Sequence, residues 1–264
     1  MNLKANKYHK DLLNDTKRLD VFEKAINSTY TEKNDLALDL GCGSGILSIY
    51  ASKHYKKILA YEIDENIIKY TKENIKPCKN IELIKTNLIN YNYKNLKPDL
   101  IICEMLDTAL IDEEQVKILN NIPYEIKNKA KLIPCSVINK IEAINMKNTN
   151  IVYEDNEYKP QHQILSKTQI YDKLNFKEPI KEKFDKNIIL TINKDSELNG
   201  IKITTETILT PEIKTQPTPM LNPKLLIPLN EEIEVKNNDK IKINLKYTMG
   251  EGLETIKTKI MEGV

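Results

Sequence analysis

The stretch DLALDLGCGSGILSIYASKH (35–54) decides the fold. Residues 35–40 read as a buried strand, and an apolar-periodic helix runs from Ile46 to about His54. Between them lie Gly41, Gly43 and Gly45, three of the seven glycines in the chain. Glycine there lets the backbone turn sharply and lets a ligand come close to it. Outward from this unit the alternation repeats. ILAYEI (58–63) is a second strand, and Asp64 can cap a helix over DENIIKYTKENI (64–75). IELIK (81–85) and DLIIC (99–103) are the third and fourth strands, the last preceded by Lys97-Pro98. Near-continuous apolar strands between helical segments imply a parallel sheet covered on both faces. Crossover handedness then gives a doubly wound α/β sheet, with its ligand crevice at the carboxyl ends of the strands.

The pattern changes after Pro134. SVINKIEAI (136–144) stays extended, and later segments alternate with period two. These are IKITTETI (201–208) and IKINLKY (241–247), where Ile241, Ile243, Leu245 and Tyr247 share one face. Prolines at 211, 217, 219, 223 and 228 cut this half into short pieces. Two domains are expected, residues 1–134 and a β-rich unit over 135–264. No internal repeat or low-complexity tract interrupts them.

Composition narrows the function. The 264 residues are 40% hydrophobic and 30% charged, which supports a packed core and excludes wholesale disorder. Forty basic and 38 acidic residues give a net charge of +2, so bulk charge does not drive binding to a polyanion. No apolar run is long enough to span a membrane, and MNLKANKYHKDLL lacks an apolar signal core, so a cytoplasmic location is expected. The cysteines at 42, 78, 103 and 135 form no C-x-x-C pair, so neither a metal site nor a disulfide framework is expected. Arg18 is the only arginine, in a chain otherwise rich in lysine. A site needing a planar, bidentate partner for a carboxylate would keep it, because lysine lacks that fork.

The glycine loop discriminates between cofactor classes. Glu62 ends the second strand, where a carboxylate can accept both hydroxyls of a ribose. A dinucleotide site wants G-x-G-x-x-G, but Ile46 stands where the last glycine belongs. Asp39 places an acid two residues before Gly41, which a cationic ligand tolerates and a pyrophosphate does not. A strand-turn-helix without a ligand is the bland alternative. The pattern h-D-h-G-x-G-x-G resembles motif I of class I S-adenosyl-L-methionine (SAM) methyltransferases. That resemblance implies a Rossmann-like SAM-binding domain and SAM as the cofactor.

Ahead of it, YHKDLLNDTKRLDVFEKAI (8–26) carries apolar residues at 12, 13, 19, 22 and 26. His9 and Arg18 would lie on opposite faces of one straight helix. To meet one ligand they need a break between them, and Asn14-Asp15-Thr16 supplies capping residues for it. An ordinary amphipathic helix is the alternative. H-x-x-L-L-x-D-x-x-R resembles the segment before motif I in protein arginine methyltransferases. The resemblance implies that His9 and Arg18 reach over SAM, with Arg18 gripping its methionine carboxylate.

The fourth strand runs into CEMLDTALIDEE (103–114). Glu104 sits at the strand's carboxyl end and Glu113 lies past a loop, where acids also suit the first turn of a helix. The pair is similar to the double-glutamate loop of the same family. It implies Glu104 and Glu113 as the catalytic carboxylates that hold a substrate guanidinium. The resemblance covers about residues 8–144, with KLIPCSVINKIEAI (131–144) as the crossing into a barrel-like β domain.

Three departures stand out. The chain begins eight residues before His9, so the family's preceding tyrosine-bearing helix is expected to be missing or reduced. The family's Thr-His-Trp loop is absent, and the equivalent stretch is expected near TQPTPMLNPKLLIPL (215–229), which offers no histidine. The acid used against the adenine amino group falls near Ile89, where Asn87 or Asn90 can substitute through side-chain amides.

His54 and His162 read as solvated or structural, Cys42 as a small packed side chain, and KEPIKEKFDK (177–186) as solvated surface. The expected function is SAM-dependent methyl transfer to a protein side-chain nitrogen, arginine-like. The alternatives are a tRNA or rRNA methyltransferase, a non-catalytic SAM-binding relative and, more distantly, a nicotinamide-dependent oxidoreductase. Against RNA stand the missing [ND]-P-P-[YF] motif and the small basic excess. The acceptor is thus expected to be protein or RNA, with no membrane partner, and the resemblance allows a homodimer.

Overall fold

A computed structural model describes residues 3–32, 34–155 and 157–261. Two short helices, α1 (Lys7–Asn14) and α2 (Thr16–Ser28), lead into the parallel half. That half contains β1 (Leu36–Leu40), α3 (Ile46–Ser52), β2 (Lys57–Glu62), α4 (Glu65–Ile75), β3 (Ile81–Lys85) and β4 (Leu100–Cys103). It ends with α5 (Gln115–Asn121), α6 (Tyr124–Lys129) and β5 (Lys131–Ile133). The strands lie in the order β3-β2-β1-β4-β5, all parallel. Leu38 sits opposite Leu59 on one side and Ile101 on the other, and all three are buried. Strand order reverses its sense between β1 and β4, so helices cover both faces and a crevice opens at the carboxyl ends of that pair.

β5 is the strand of the parallel sheet that the sequence pattern does not announce. It is three residues long and pairs parallel with β4, Ile101 opposite Leu132. The stretch 131–144 thus passes from one half into the other. Its first part belongs to the parallel sheet, and only from Ser136 does it join the antiparallel half.

That half holds β6 (Ser136–Met146), β7 (Val152–Glu154), β8 (His162–Ile164), β9 (Gln169–Asn175) and β10 (Lys183–Thr191). It continues with β11 (Ser196–Thr210), β12 (Ile213–Thr215), β13 (Lys224–Val235), β14 (Lys240–Thr248) and β15 (Lys257–Met261). One sheet runs β7-β13-β11-β6-β8, with β12 on β11 and β9 on β6, and β10-β14-β15 form another. The architecture is a Rossmann-like sheet followed by a β-rich, barrel-like half. Buried apolar side chains form one cluster through both, from Phe22 and Leu38 to Ile203 and Leu245.

One surface expectation and one strand pattern differ from the structure. The 177–186 stretch is not wholly solvated, because it runs into β10 and buries Ile180 and Phe184. The Phe184 ring stacks on Tyr247 at 4.7 Å between centroids. β11 does not alternate cleanly either. It is the central strand, and Lys202 and Glu206 are 7% and 4% exposed. Lys202 pairs with Glu142 across the strand at 2.5 Å, and Glu206 with Lys140 at 2.5 Å. Charges there are tolerated because each finds its partner on β6. No helix among the described residues is long and apolar enough to cross a membrane.

Candidate active site

A cavity of about 270 Å³ opens at the carboxyl ends of β1, β2 and β4. Its walls carry Tyr8, His9, Arg18, Gly41, Gly43, Glu62, Asn87, Glu104 and Glu113, together with Glu114 and Met220. Local chemistry brings these residues together. Asn6 caps α1 by accepting from His9 N at 2.8 Å. The chain breaks after Asn14, and Asp15 caps α2 by accepting from Arg18 N at 3.1 Å. The break is what lets His9 and Arg18 reach one cavity. Burial lowers the His9 pKa, which favours its neutral ring.

Gly41 and Gly43 have φ of +73° and +52°. A Cβ on Gly41 would meet Met105 Sδ at 2.8 Å, and one on Gly43 the His9 ring at 3.0 Å. Side chains at either place would fill the cradle from within. Cys42 is buried and its N donates to Tyr61 O at 2.8 Å, pinning the loop to β2. The Glu62 carboxylate accepts from Gly43 N at 3.0 Å and from Ile63 N and Asp64 N at 2.8 and 3.0 Å. It is thereby fixed at the cavity edge. Asn87 caps a short turn, accepting from Ile89 N at 2.9 Å.

Three expected contacts are not in the cavity wall. Gly45 turns the chain into α3, Asn90 ends the turn that Asn87 caps, and Asp39 lies beneath the loop. Asp39 is 1% exposed and accepts from Ser48 Oγ at 2.6 Å. Burial pushes its carboxyl up to about 7. It ties β1 to α3 through Ser48 rather than lining the cavity. His54 instead bonds Asn27 Oδ1 at 2.7 Å, and His162 lies 2.9 Å from Pro160 O.

On the opposite wall, Arg18 forms an ion pair with Glu104, the two side chains 4% and 10% exposed. The guanidinium also lies over the Phe22 ring, and its Nε is buried with no partner among the described residues. One donor of the fork thus remains for a further acceptor. Burial raises the Glu104 carboxyl against the opposing pull of Arg18. Glu113 is half-buried, and burial followed by the nearby Glu104 raises it too.

Sequence reasoning missed the residues that hold this wall. Gln115 is fully buried, accepts from Met105 N at 3.0 Å and donates to Cys103 O at 2.7 Å. It grips the backbone on both sides of Glu104, though in the sequence it looks like a polar residue opening a helix. Asp107 accepts from the Ile111, Asp112 and Glu113 amides at 3.0, 2.9 and 3.3 Å. Between the two glutamates, Ala109 and Leu110 both have φ of +60°. Each such residue costs about 1–3 kcal/mol unless its surroundings enforce it. Tyr8 lines the cavity, and burial followed by Glu113 raises its hydroxyl pKa. From the 215–229 stretch, Met220 lines the cavity and Thr218 donates to the Asp15 carboxylate. Among the described residues no group of three or more His, Cys, Asp or Glu could hold a metal ion.

Comparison with known proteins gives a family and a fold. A family profile described as ribosomal protein L11 methyltransferase (PrmA) matches residues 22–163. An uncharacterized protein of Methanocaldococcus jannaschii, MJ1452, is 39% identical over 264 residues, covering 98% of this chain and 99% of its own. A probable ribosomal RNA small subunit methyltransferase A of Methanococcus aeolicus is 29% identical over 118 residues, 44% of this chain and 37% of its own. Among solved structures, the Trypanosoma brucei PRMT1 enzyme-prozyme heterotetrameric complex with AdoHcy superposes with a TM-score of 0.75 at 15% identity. That match covers 97% of this chain and 96% of the other. At that identity the likeness speaks for the fold.

Proposed function

This chain belongs to the ribosomal protein L11 methyltransferase (PrmA) family and is an SAM-dependent methyltransferase; we propose that its acceptor is a cationic side-chain nitrogen of a protein, arginine-like. The observation that carries the reading is the composition of the cavity wall. Glu62, Glu104, Glu113 and Glu114 line it, and Arg18 is the one lysine or arginine among its described residues. Four carboxylates against one guanidinium favour a cationic acceptor and repel a phosphate backbone.

The residues present fit SAM. SAM supplies an electrophilic methyl group on a sulfonium centre. The glycine cradle keeps the backbone clear, Glu62 offers acceptor oxygens at its rim, and the unpartnered Nε of Arg18 offers a donor for a carboxylate. Neutral His9 closes the side next to Gly43 without adding a charge.

Glu104 and Glu113 then bind and orient the acceptor nitrogen, and positioning of this kind supplies most of the acceleration in a displacement with a good leaving group. With its pKa raised, the Glu113 carboxylate is a stronger base for the proton that the nitrogen sheds.

The rRNA methyltransferase names of several relatives favour RNA as the alternative acceptor, but those matches span 41–44% of this chain. Incubation with methyl-labelled SAM and cell extract, split by protease and nuclease, separates the two. Label released by protease supports the reading. Label released by nuclease overturns it in favour of RNA, and SAM binding with no transfer points to a non-catalytic relative.

A further inference from the structure

Asp107 takes no part in the cavity wall, and the sequence pattern gives it no role. It is 7% exposed, and both its oxygens are committed to backbone. Oδ2 accepts from Ile111 N and Asp112 N, and Oδ1 from Glu113 N, the amide of the cavity glutamate itself. The Tyr153 hydroxyl of β7 lies 3.4 Å from Oδ2. The turn so closed contains Ala109 and Leu110, two consecutive non-glycine residues in left-handed conformation. Backbone of that kind persists only where its surroundings over-determine it.

The remaining constraints come from the antiparallel half. Thr205 Oγ1 accepts from Ala109 N at 2.8 Å and donates to Asn139 Oδ1 at 2.7 Å. The Thr108 hydroxyl donates to Pro223 O. Gly250 N donates to Leu110 O at 3.0 Å, and Gly252 N to Ile111 O at 3.0 Å. A turn gripped from two sides has one stable arrangement, and that arrangement fixes where the backbone of Glu113 leaves it.

Resting on the methyl-transfer reading above, we propose that Asp107 is a positioning residue. It is one jaw of a clamp whose other jaw is Thr205, and the clamp holds Glu113 on the same cavity as Glu104. A carboxylate suits the task better than an amide. Three N–H donors converge on it, and the NH2 of an asparagine would face one of them donor to donor.

The test has two arms on the full chain. Hydrogen exchange by mass spectrometry reads the clamp without any acceptor. In Asp107→Asn the amides of 109–113 should exchange about tenfold faster or more, while the glycine-loop segment 36–49 stays as protected as before. Unchanged exchange at 109–113 overturns the proposal. Transfer of labelled methyl from SAM into cell extract reads the consequence. Asp107→Asn should lose about 10²-fold in rate, with SAM affinity by calorimetry within about threefold.

Placed on Glu113→Gln, the same change should cost little more, because a residue acting only through Glu113 has nothing left to position. A full multiplicative loss in that background overturns the role. If Asp107→Asn does not fold, Thr205→Val removes the other jaw without touching a charge. It should speed exchange at 109–113 in the same way, and its failure to do so is equally decisive. If the wild-type chain labels nothing in the extract, the acceptor reading falls while the exchange arm still judges the clamp.

Discussion

The two walls of the cavity are built by different means. The glycine-loop wall is made from near neighbours: Asp39 meets Ser48 nine residues on, and Gly43 meets Glu62 nineteen residues on. The acid wall joins near neighbours, Asp107 with the 111–113 amides and Gln115 with Cys103, to distant ones: Ala109 meets Thr205 at a separation of 96, and Thr108 meets Pro223 at 115. Each wall also rests on a buried aspartate pushed up to about 7, Asp39 under the loop and Asp107 under the turn. The glycine-loop contacts lie within the parallel half, whereas the turn of the acid wall is also held from the antiparallel half. Cofactor binding and methyl transfer should therefore be separable by mutation, except at Arg18, which touches both.

The largest expected effect is at that joint. Arg18→Ala leaves Glu104 buried without its partner, and breaking such a pair costs about 3–5 kcal/mol. Denaturant midpoints should show the loss, and calorimetry should show SAM affinity falling with it. A variant with wild-type stability would mean that the ion pair contributes nothing. Next come the two walls taken singly. Glu104→Gln should lower the rate of methyl transfer on the order of 10²–10³-fold, the scale of one preorganised polar group at a reacting centre. Glu62→Ala should weaken SAM by about tenfold, the scale of a hydrogen bond to a charged group. Equal losses of SAM affinity in both variants would erase the distinction between the walls.

A smaller effect distinguishes the aspartates. The Asp39 carboxyl titrates at about 7 when folded, against about 3.9 in an unfolded chain. Folding thus favours its protonated form. The stabilisation is whole below pH about 4 and is lost as pH rises towards 7. Asp39→Asn keeps a neutral side chain at every pH. Its stability should therefore fall less than that of the wild type between pH 5 and 8, as urea midpoints at the two values would report. The residual slope carries Asp107, whose carboxyl shares the same range, together with Glu104 and Glu113, which burial also raises. Parallel slopes in variant and wild type would mean that Asp39 titrates normally.

The same contrast decides what can be read from the sequence. The glycine-loop wall was legible because its constraints are local and restrict residue type. Positive φ asks for Gly41 and Gly43, a helix break asks for Asp15, and the end of β2 places Glu62. Glu104 followed from the end of β4. Gln115, Asp107 and the strained pair Ala109-Leu110 did not, since their partners are backbone groups or residues in the other half. No residue type or spacing marks such a contact in advance. β5 escaped for a related reason, because three residues are too short to carry a period. Lys202 and Glu206 carry charges on a central strand, and only the pairing with β6 shows why they are buried.

The smallest expected effect tests whether the antiparallel half also reaches the cofactor wall. Thr218 donates to the carboxylate of Asp15, the residue that caps α2 and starts the helix carrying Arg18. Thr218→Val keeps the shape and removes the donor, while Asp15 retains its bond to Arg18 N. The net loss should be about 1 kcal/mol, the usual value of one such bond after exchange with water. In a chain of this size that lowers the melting temperature by about 2–4 °C. SAM affinity should move by less than about threefold, because the cap that orients Arg18 survives. A larger drop in affinity, with stability preserved, would mean that the 215–229 stretch holds the cofactor wall directly. The two walls would then be less independent than their contacts imply.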